Sequence, residues 1–170
     1  MNILKYGILF FLGILTFPLF AQVGVTGRIK TEIVAPLIVV ETEQMGFGKF
    51  TSDMGGGTIQ LSPQGERTAT GSIRLVEGAF GAGKFLITGS LGTLVTLTLP
   101  QSPVELRLEN GSYTLTVDHF TSDVPIGGKT ISKSNGRTEM NVGATLYVGN
   151  WSSSPAGFYT GTYEAVFMYN

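Results

Sequence analysis

The chain has 170 residues, of which only 14% are charged, and its net charge at pH 7 is −1. No basic run is present that could neutralise a series of phosphates, which argues against a nucleic-acid partner. The absence of cysteine excludes disulfides, thiolate nucleophiles and cysteine-ligated metals. With His119 as its single histidine, the chain cannot build a polyhistidine metal site.

Residues 1–21 are typical of an export signal. Residues 6–20 form an apolar run, and Ala21 provides the small residue expected at a cleavage position. The run is shorter than the ~20 apolar residues that span a bilayer, and Pro18 would break a helix near its end. We therefore expect one mature domain, residues 22–170, that is secreted through the periplasm and has no transmembrane span.

The mature chain is predicted to be all-β. Alternation of apolar and polar residues recurs along most of its length, whereas no window has the apolar spacing of an amphipathic helix. Seven or more short strands in one domain favour a Greek-key β-sandwich of immunoglobulin-like type, with a closed barrel as the alternative. The strand candidates are residues 34–42, 58–61, 84–88, 93–99, 142–148 and 158–169.

The clearest hairpin is centred on Asn110 and Gly111. This dipeptide is typical of a two-residue type I′ turn, in which both residues have positive φ angles. The turn would set Leu106 opposite Leu115 and Val104 opposite Val117. One face of the hairpin is then apolar and needs a second sheet to cover it. That face comprises Val104, Leu106, Leu108, Tyr113, Leu115 and Val117.

Two patterns approach known catalytic or nucleotide-binding motifs. Residues 78–84 have the glycine and lysine spacing of a phosphate-binding loop, but Phe85 stands where Ser or Thr would hold Mg²⁺, and a predicted strand follows. Asp118 and His119 are adjacent on a predicted strand, where neighbouring side chains point to opposite faces, and no serine lies in a nucleophile elbow. We therefore expect a protein that is not an enzyme and has no cofactor or bound metal.

The two ends of the mature chain carry the strongest pattern. An N-terminal strand over residues 22–33 is predicted to have one apolar edge, and the C-terminal segment a nearly continuous aromatic face. Either both are ordinary core strands of one sandwich, or the N-terminal strand fills a groove on a neighbouring copy. The N-terminal edge is formed by Val23, Val25, Gly27 and Ile29. The C-terminal pattern comprises Gly157, Tyr163, Ala165, Phe167 and Tyr169.

These ends resemble those of bacterial pilins assembled by the chaperone–usher route. Gly157 is the fourteenth residue from the C-terminus and Tyr169 the penultimate one, as in the pilin terminal motif. The N-terminal alternation is similar to the pilin donor strand, in which a glycine faces a narrow part of the acceptor groove. Motifs along most of the mature chain also resemble the secreted domain-of-unknown-function family 4402, related to spore-coat-U-like subunits. These motifs lie at residues 45–48, 142–149 and 157–163.

The resemblance implies an incomplete immunoglobulin-like sandwich whose missing strand comes first from a periplasmic chaperone and then from the next subunit. Val23, Val25, Gly27 and Ile29 would be donor residues, and the C-terminal pattern would line or border the acceptor groove. The partners would be other copies or related subunits, with an outer-membrane usher, and the product a fimbrium or coat at the cell surface, with a role in cell adhesion. Many pilins also have a disulfide, which this chain lacks.

Two alternatives remain open from the sequence. Residues 23–33 run into the next predicted strand with almost no linker, so they could pair within their own domain. The protein could also be a stand-alone secreted β-sandwich that binds a glycan or another cell-surface partner, since Trp151, Phe158 and Tyr159 could form a platform for stacking sugars. A secreted hydrolase is the least favoured class, because no catalytic set is assembled.

Overall fold

The computed structural model describes residues 23–132 and 134–170. Within them the chain forms strands and no helix, so none of these residues builds a helix that could cross a membrane. Residues 34–170 form one compact unit. The strands are β1 (Ile38–Glu43), β2 (Lys49–Thr51), β3 (Gly57–Leu61), β4 (Arg67–Ala69), β5 (Arg74–Val76), β6 (Gly83–Thr88), β7 (Leu94–Thr98), β8 (Val104–Leu108), β9 (Thr114–Ser122), β10 (Lys129–Thr130), β11 (Arg137–Val148), β12 (Tyr159–Thr160) and β13 (Val166–Tyr169).

The largest sheet is antiparallel and is organised around the long strand β11. Its order is β1-β6-β11-β9-β8-β12. On one side, β11 pairs first with β6, with Met140 opposite Phe85, and then with β3, with Leu146 opposite Ile59. On its other side β11 pairs with β9. Because β11 spans both halves of the sheet, it connects the two parts of the core.

The core consists of two clusters of buried apolar side chains that share β11. Alternate residues of this strand, from Met140 to Val148, are buried, as expected where one face of a strand is covered. The sheet β10-β7-β13 contributes Val95 and Phe167 to the cluster around Met140. The cluster around Leu146 contains Phe47, with Phe50 packed against it, and Phe50 lies on β2, which pairs with β5.

The structure confirms the all-β prediction and the register of the central hairpin. Leu106 lies opposite Leu115, and Val104 lies opposite Val117. The predicted turn type is wrong, because neither Asn110 nor Gly111 has a positive φ. A wider loop closes the hairpin instead: the Leu108 amide donates to the carbonyl of Tyr113 at 3.0 Å, and the Gly111 amide donates to Leu108 at 3.2 Å.

The C-terminal segment is broken where a continuous strand was predicted. Its first part, β12, pairs with β8 at the edge of the large sheet, and its last part, β13, pairs with β7 in the second sheet. Residues 161–165 between them belong to no strand, because the chain is changing partners there. At the other end, the described residues 23–33 also belong to no strand.

Candidate functional site

Residues 34–170 contain an apolar groove of about 1810 Å³. Residues 41–52 form its first wall, and residues 156–165 form its second wall. Its floor is the apolar face of the large sheet, including Leu115, Val117 and Leu146. Sites for small molecules typically measure ~300–1,000 Å³, so this groove has room for a longer ligand such as a polypeptide segment.

Strand edges along the groove lack a second partner. Within the described residues, β1 pairs only with β6, and β2 pairs only with β5. Residues 161–165 of the second wall belong to no strand. An unpaired edge presents backbone N–H and C=O groups that can hydrogen-bond an added strand. The groove therefore offers both an apolar floor and backbone hydrogen-bonding groups.

One end of the groove, which we call the acidic end, is built around Tyr163. The Tyr163 ring lies 5.3 Å from the Phe120 ring and 6.4 Å from the Phe85 ring, measured between centroids. Phe85 lies opposite Glu41 across the β1–β6 pair, which brings that carboxylate to the same end. Glu164 follows Tyr163 in the chain and also borders the groove. Two carboxylates thus lie beside a fixed aromatic cluster.

The hydroxyl of Tyr163 is buried against Gly83 and has no hydrogen-bond partner among the described atoms. Burial raises the pKa of this phenol to about 12, and the negative charge of Glu41 acts in the same direction. The phenol is therefore neutral at physiological pH. It adds a polar atom to the core without the stabilisation that a hydrogen bond would provide.

We predict that Tyr163→Phe leaves the free energy of unfolding at pH 7 unchanged or raises it by up to about 1 kcal/mol, because an unpartnered buried hydroxyl is removed. The pKa of Tyr163 is higher in the folded state, at about 12, than its ordinary value of 10.0. The wild type should therefore lose stability as the pH rises from 10 to 12. Urea unfolding across this range should show a smaller loss in the variant. An equal loss of stability in both proteins would show that ionisation of Tyr163 does not cause the loss.

The opposite end, which we call the aromatic end, carries exposed aromatic side chains. Trp151 is 57% exposed and Phe158 is 75% exposed, and Tyr113 also borders the groove here. The Tyr159 hydroxyl donates a hydrogen bond of 2.8 Å to the carbonyl of Pro155, which holds this ring in place. The two ends of the groove therefore differ in both charge and exposure.

Three of the five predicted C-terminal residues line the groove. These are Gly157, Tyr163 and Ala165, and the last two also pack against the cluster around Met140. Phe167 and Tyr169 lie on β13 and pack in the cluster around Met140. The Tyr169 hydroxyl accepts a hydrogen bond from the Ser90 amide and donates one to the carbonyl of Ala35, each 3.0 Å long. Tyr169 therefore anchors the beginning of the compact unit and is not exposed in the groove.

Sequence reasoning missed several groove residues. Phe85 and Phe120 come from separate strands, and only the fold brings them to the same end. Residues 45–48 were noted as a motif, but nothing local indicated that they form a wall. The additional apolar residues that line the groove are Met45, Phe47, Phe50, Phe85, Leu106 and Phe120.

The predicted donor residues lie in a segment whose side chains are all exposed. Val23, Val25 and Ile29 are each more than four-fifths exposed, and Ile29 is 97% exposed. A Cβ atom added at Gly24 or Gly27 would have no atom within 4 Å. The segment thus presents alternating apolar side chains to solvent.

The side chains of Asp118 and His119 lie close together, whereas adjacent residues on a regular strand were expected to point to opposite faces. His119 has a φ of 51°, and the register between β9 and β11 shifts at this point. The resulting bulge places His119 Nδ1 3.6 Å from a carboxylate oxygen of Asp118 and 3.0 Å from the Tyr147 hydroxyl. The side chain of His119 is 68% exposed. Within the described part of the chain, no cluster of three or more histidine, cysteine or acidic residues could hold a metal ion.

The chain belongs to the family described as Domain of unknown function (DUF4402), whose family model matches residues 37–169. Neither a curated protein nor a solved structure matches the chain significantly.

Proposed function

We propose that this member of the DUF4402 family is an exported, pilin-like structural subunit that assembles by donor-strand complementation. Residues 23–33 of one copy fill the groove of the next copy. The observation that carries the proposal is the open apolar groove, bordered by unpaired strand edges, in a chain that also has an exposed alternating segment. Its resemblance to chaperone–usher pilins supports the same mechanism.

The chemistry of the two surfaces supports this pairing. In an extended segment, Val23, Val25 and Ile29 share one face with Gly27. Burial of each large apolar side chain contributes roughly 1.5–3 kcal/mol, offset in part by the cost of ordering the segment. Backbone hydrogen bonds to the unpaired edge of β2 would add to this stabilisation. The donor side chains would pack against partly buried apolar residues of the groove such as Met45 and Phe50.

In this proposal the domain is an incomplete immunoglobulin-like Greek-key sandwich. The export signal directs it to the periplasm, where a chaperone occupies the groove until an usher assembles the subunit into a surface fibre or coat. The function requires neither catalysis nor a cofactor. Gly27 is the donor position at which the absence of a side chain lets the two backbones approach closely.

A synthetic peptide tests the proposal. A chain beginning at Gln22 and carrying Gly27→Asp retains its groove but has a defective donor segment. We expect it to bind a peptide with the sequence of residues 23–33 and to gain thermal stability as the peptide concentration rises. A matched peptide carrying the Gly27→Asp change should not bind. Equal binding of both peptides, or binding of neither, would contradict donor-strand complementation.

A stand-alone glycan-binding module is the second candidate, and the exposed aromatic end favours it. Trp151 is the single tryptophan of the chain, so its fluorescence reports directly on this end of the groove. Stacking of a sugar on Trp151 would change that fluorescence without any assembly. A saturable change with soluble glycans in the Gly27→Asp chain would favour this second function.

A further inference from the structure

We infer that Arg67 is a positioning residue of the groove, whose side chain holds residues 47–49 of the first wall where an inserted strand can pair with them. Arg67 lies on β4 and is not among the residues that line the groove. The inference rests on the proposed function and names the residue on which the shape of the acceptor groove depends.

The central part of the first wall has little backbone support. In the described chain β2 pairs only with β5, and these two strands form a sheet separate from the large one. A two-stranded ribbon is at best marginally stable by itself in water. Phe47 and Phe50 pack against the core, but apolar packing is non-directional and does not fix the position of the backbone. Residues 47–51 therefore need a further contact to fix the width of the groove.

The Arg67 side chain provides that contact. Its Nη1 donates hydrogen bonds to the carbonyls of Phe47, at 2.8 Å, and Lys49, at 3.3 Å. Its Nη2 donates a hydrogen bond of 3.1 Å to the carbonyl of Val76 on β5. Among the described residues, all hydrogen bonds between residues 47–51 and the large sheet come from this side chain. One guanidinium thus ties both strands of the ribbon to the large sheet.

Arg67 is itself anchored to the core. It lies opposite Leu61 in the β3–β4 pair, and Leu61 lies opposite Ala144 of β11. Leu61 and Ala144 are each 1% exposed. The position of the central strand β11 therefore determines the position of Arg67, which in turn holds the wall.

The surroundings of the side chain fit a planar guanidinium. Its Cζ lies 4.2 Å from the centre of the Phe80 ring, within the range of a cation–π contact. Gly48 lies between the two wall carbonyls with a φ of 70°, and a Cβ atom there would collide with Nη1. The glycine therefore leaves the space that the guanidinium occupies. A lysine ammonium lacks the planar fork that donates to both strands and stacks on the ring.

Stability alone does not account for this arrangement. The Arg67 Nε is buried and has no hydrogen-bond partner among the described atoms. Within the described chain, no carboxylate forms a salt bridge with the guanidinium. An unpaired buried donor and a partly buried cation without a counter-ion both reduce the stabilisation that the side chain provides. Such departures are expected at functional positions, and here the position is the wall of the groove.

Arg67→Lys tests the inference, because it keeps the charge and removes the planar fork. The parent is the chain that begins at Gln22 and carries Gly27→Asp, and the matched control is Arg74→Lys at an exposed position of β5. By calorimetric titration, we expect the Kd for the peptide of residues 23–33 to rise about tenfold in Arg67→Lys. A rise of this size corresponds to a wall that holds the binding position for about a tenth of the time. Arg74→Lys should change the Kd by less than about twofold.

Hydrogen exchange distinguishes a positioning role from a general structural one. In the unbound Arg67→Lys chain, the amides of β2 and β5 should exchange about tenfold faster than in the parent, whereas those of β11 should keep their protection. Saturating peptide should restore the protection of β2, because the bound wall has the same position in both chains. Equal acceleration in β11 would show that Arg67 stabilises the fold as a whole, and would overturn the inference.

Phe80→Leu gives a second test that removes no hydrogen bond. Loss of the ring weakens the hold on the guanidinium, so the Kd for the peptide should rise about threefold. In the Arg67→Lys background the same change should have little further effect, because the two residues act as one unit. An equal effect of Phe80→Leu in both backgrounds would overturn the inference.

The outcomes separate the inference from the proposed function. An equal Kd for the peptide in the parent and in Arg67→Lys would overturn the role of Arg67 and leave donor-strand complementation in place. Binding of the peptide by neither chain would count against the proposed function. The exchange of β2 and β5 in the unbound chains would then still decide whether Arg67 holds the wall.

Discussion

Gly27→Asp should abolish assembly of the subunit while leaving the monomer as stable as the wild type. In an inserted strand the new carboxylate would face the apolar floor of the groove, and burial of an unpaired charge costs several kcal/mol. We expect assembly to fall by more than about a hundredfold, since each 1.4 kcal/mol corresponds to a factor of ten. Sedimentation of the refolded chain measures the loss, and thermal unfolding measures the stability of the monomer.

Gly24→Asp is the matched control for this variant. Both glycines are exposed, and a Cβ atom at either position has open space around it. Position 24 is out of phase with the apolar face, so its carboxylate would point away from the floor. We expect Gly24→Asp to assemble within about twofold of the wild type. Equal loss in both variants would show that added charge, and not its insertion into the groove, prevents assembly.

Ile59→Ala should reduce the free energy of unfolding by about 2–5 kcal/mol, whether or not the groove is filled. Ile59 is fully buried at the pairing of β3 with β11, next to Leu61 and Leu146. Removal of its side chain leaves a cavity that a hydrogen-bonded sheet cannot close. Urea unfolding of the monomer, compared with that of the wild type, measures the effect.

Leu91→Ala is the control for Ile59→Ala, because Leu91 is 63% exposed. Its cost should remain below about 0.5 kcal/mol. If Ile59→Ala also cost less than about 0.5 kcal/mol, the β3–β11 pairing would not be part of the stable core. The groove floor would then lack the rigid support that strand insertion requires.

The alternation of apolar and polar residues predicted those parts of the fold that depend on contacts between residues close in the sequence. The register of Leu106 with Leu115 follows from a short hairpin whose two faces differ in polarity, and the structure has the same register. The strands around Ile59 and Ile87 were also predicted close to their observed bounds. In each case one buried face determines the side-chain pattern.

Features that depend on distant partners were not predictable. The C-terminal segment has one continuous alternating pattern, yet it pairs with β8 and then with β7, and only the assembled sheets impose that change. Phe85 was placed in a predicted strand and was also noted as the residue that breaks a phosphate-loop motif, but its packing against Tyr163 in the groove was not predicted. The bulge at His119 was missed because a positive φ at histidine has no simple sequence signal.

The N-terminal segment has the residue pattern of a strand but forms no strand in the described chain. Within residues 23–33, Val23, Val25 and Ile29 alternate as in an edge strand. A strand is stabilised by the ladder that it makes with a partner, so alternation specifies a face without specifying the partner. The proposed partner is the groove of another copy, and its residues are scattered over the sequence from position 41 to position 165.

Hydrogen exchange of residues 23–33 distinguishes strand insertion from other modes of assembly. In the monomer these exposed amides should exchange rapidly, and in the assembled form alternate amides should become protected together with those of β2. The Gly27→Asp chain should show no such protection at the same concentration. Multimers in which residues 23–33 still exchange as fast as in the monomer would contradict assembly by strand insertion.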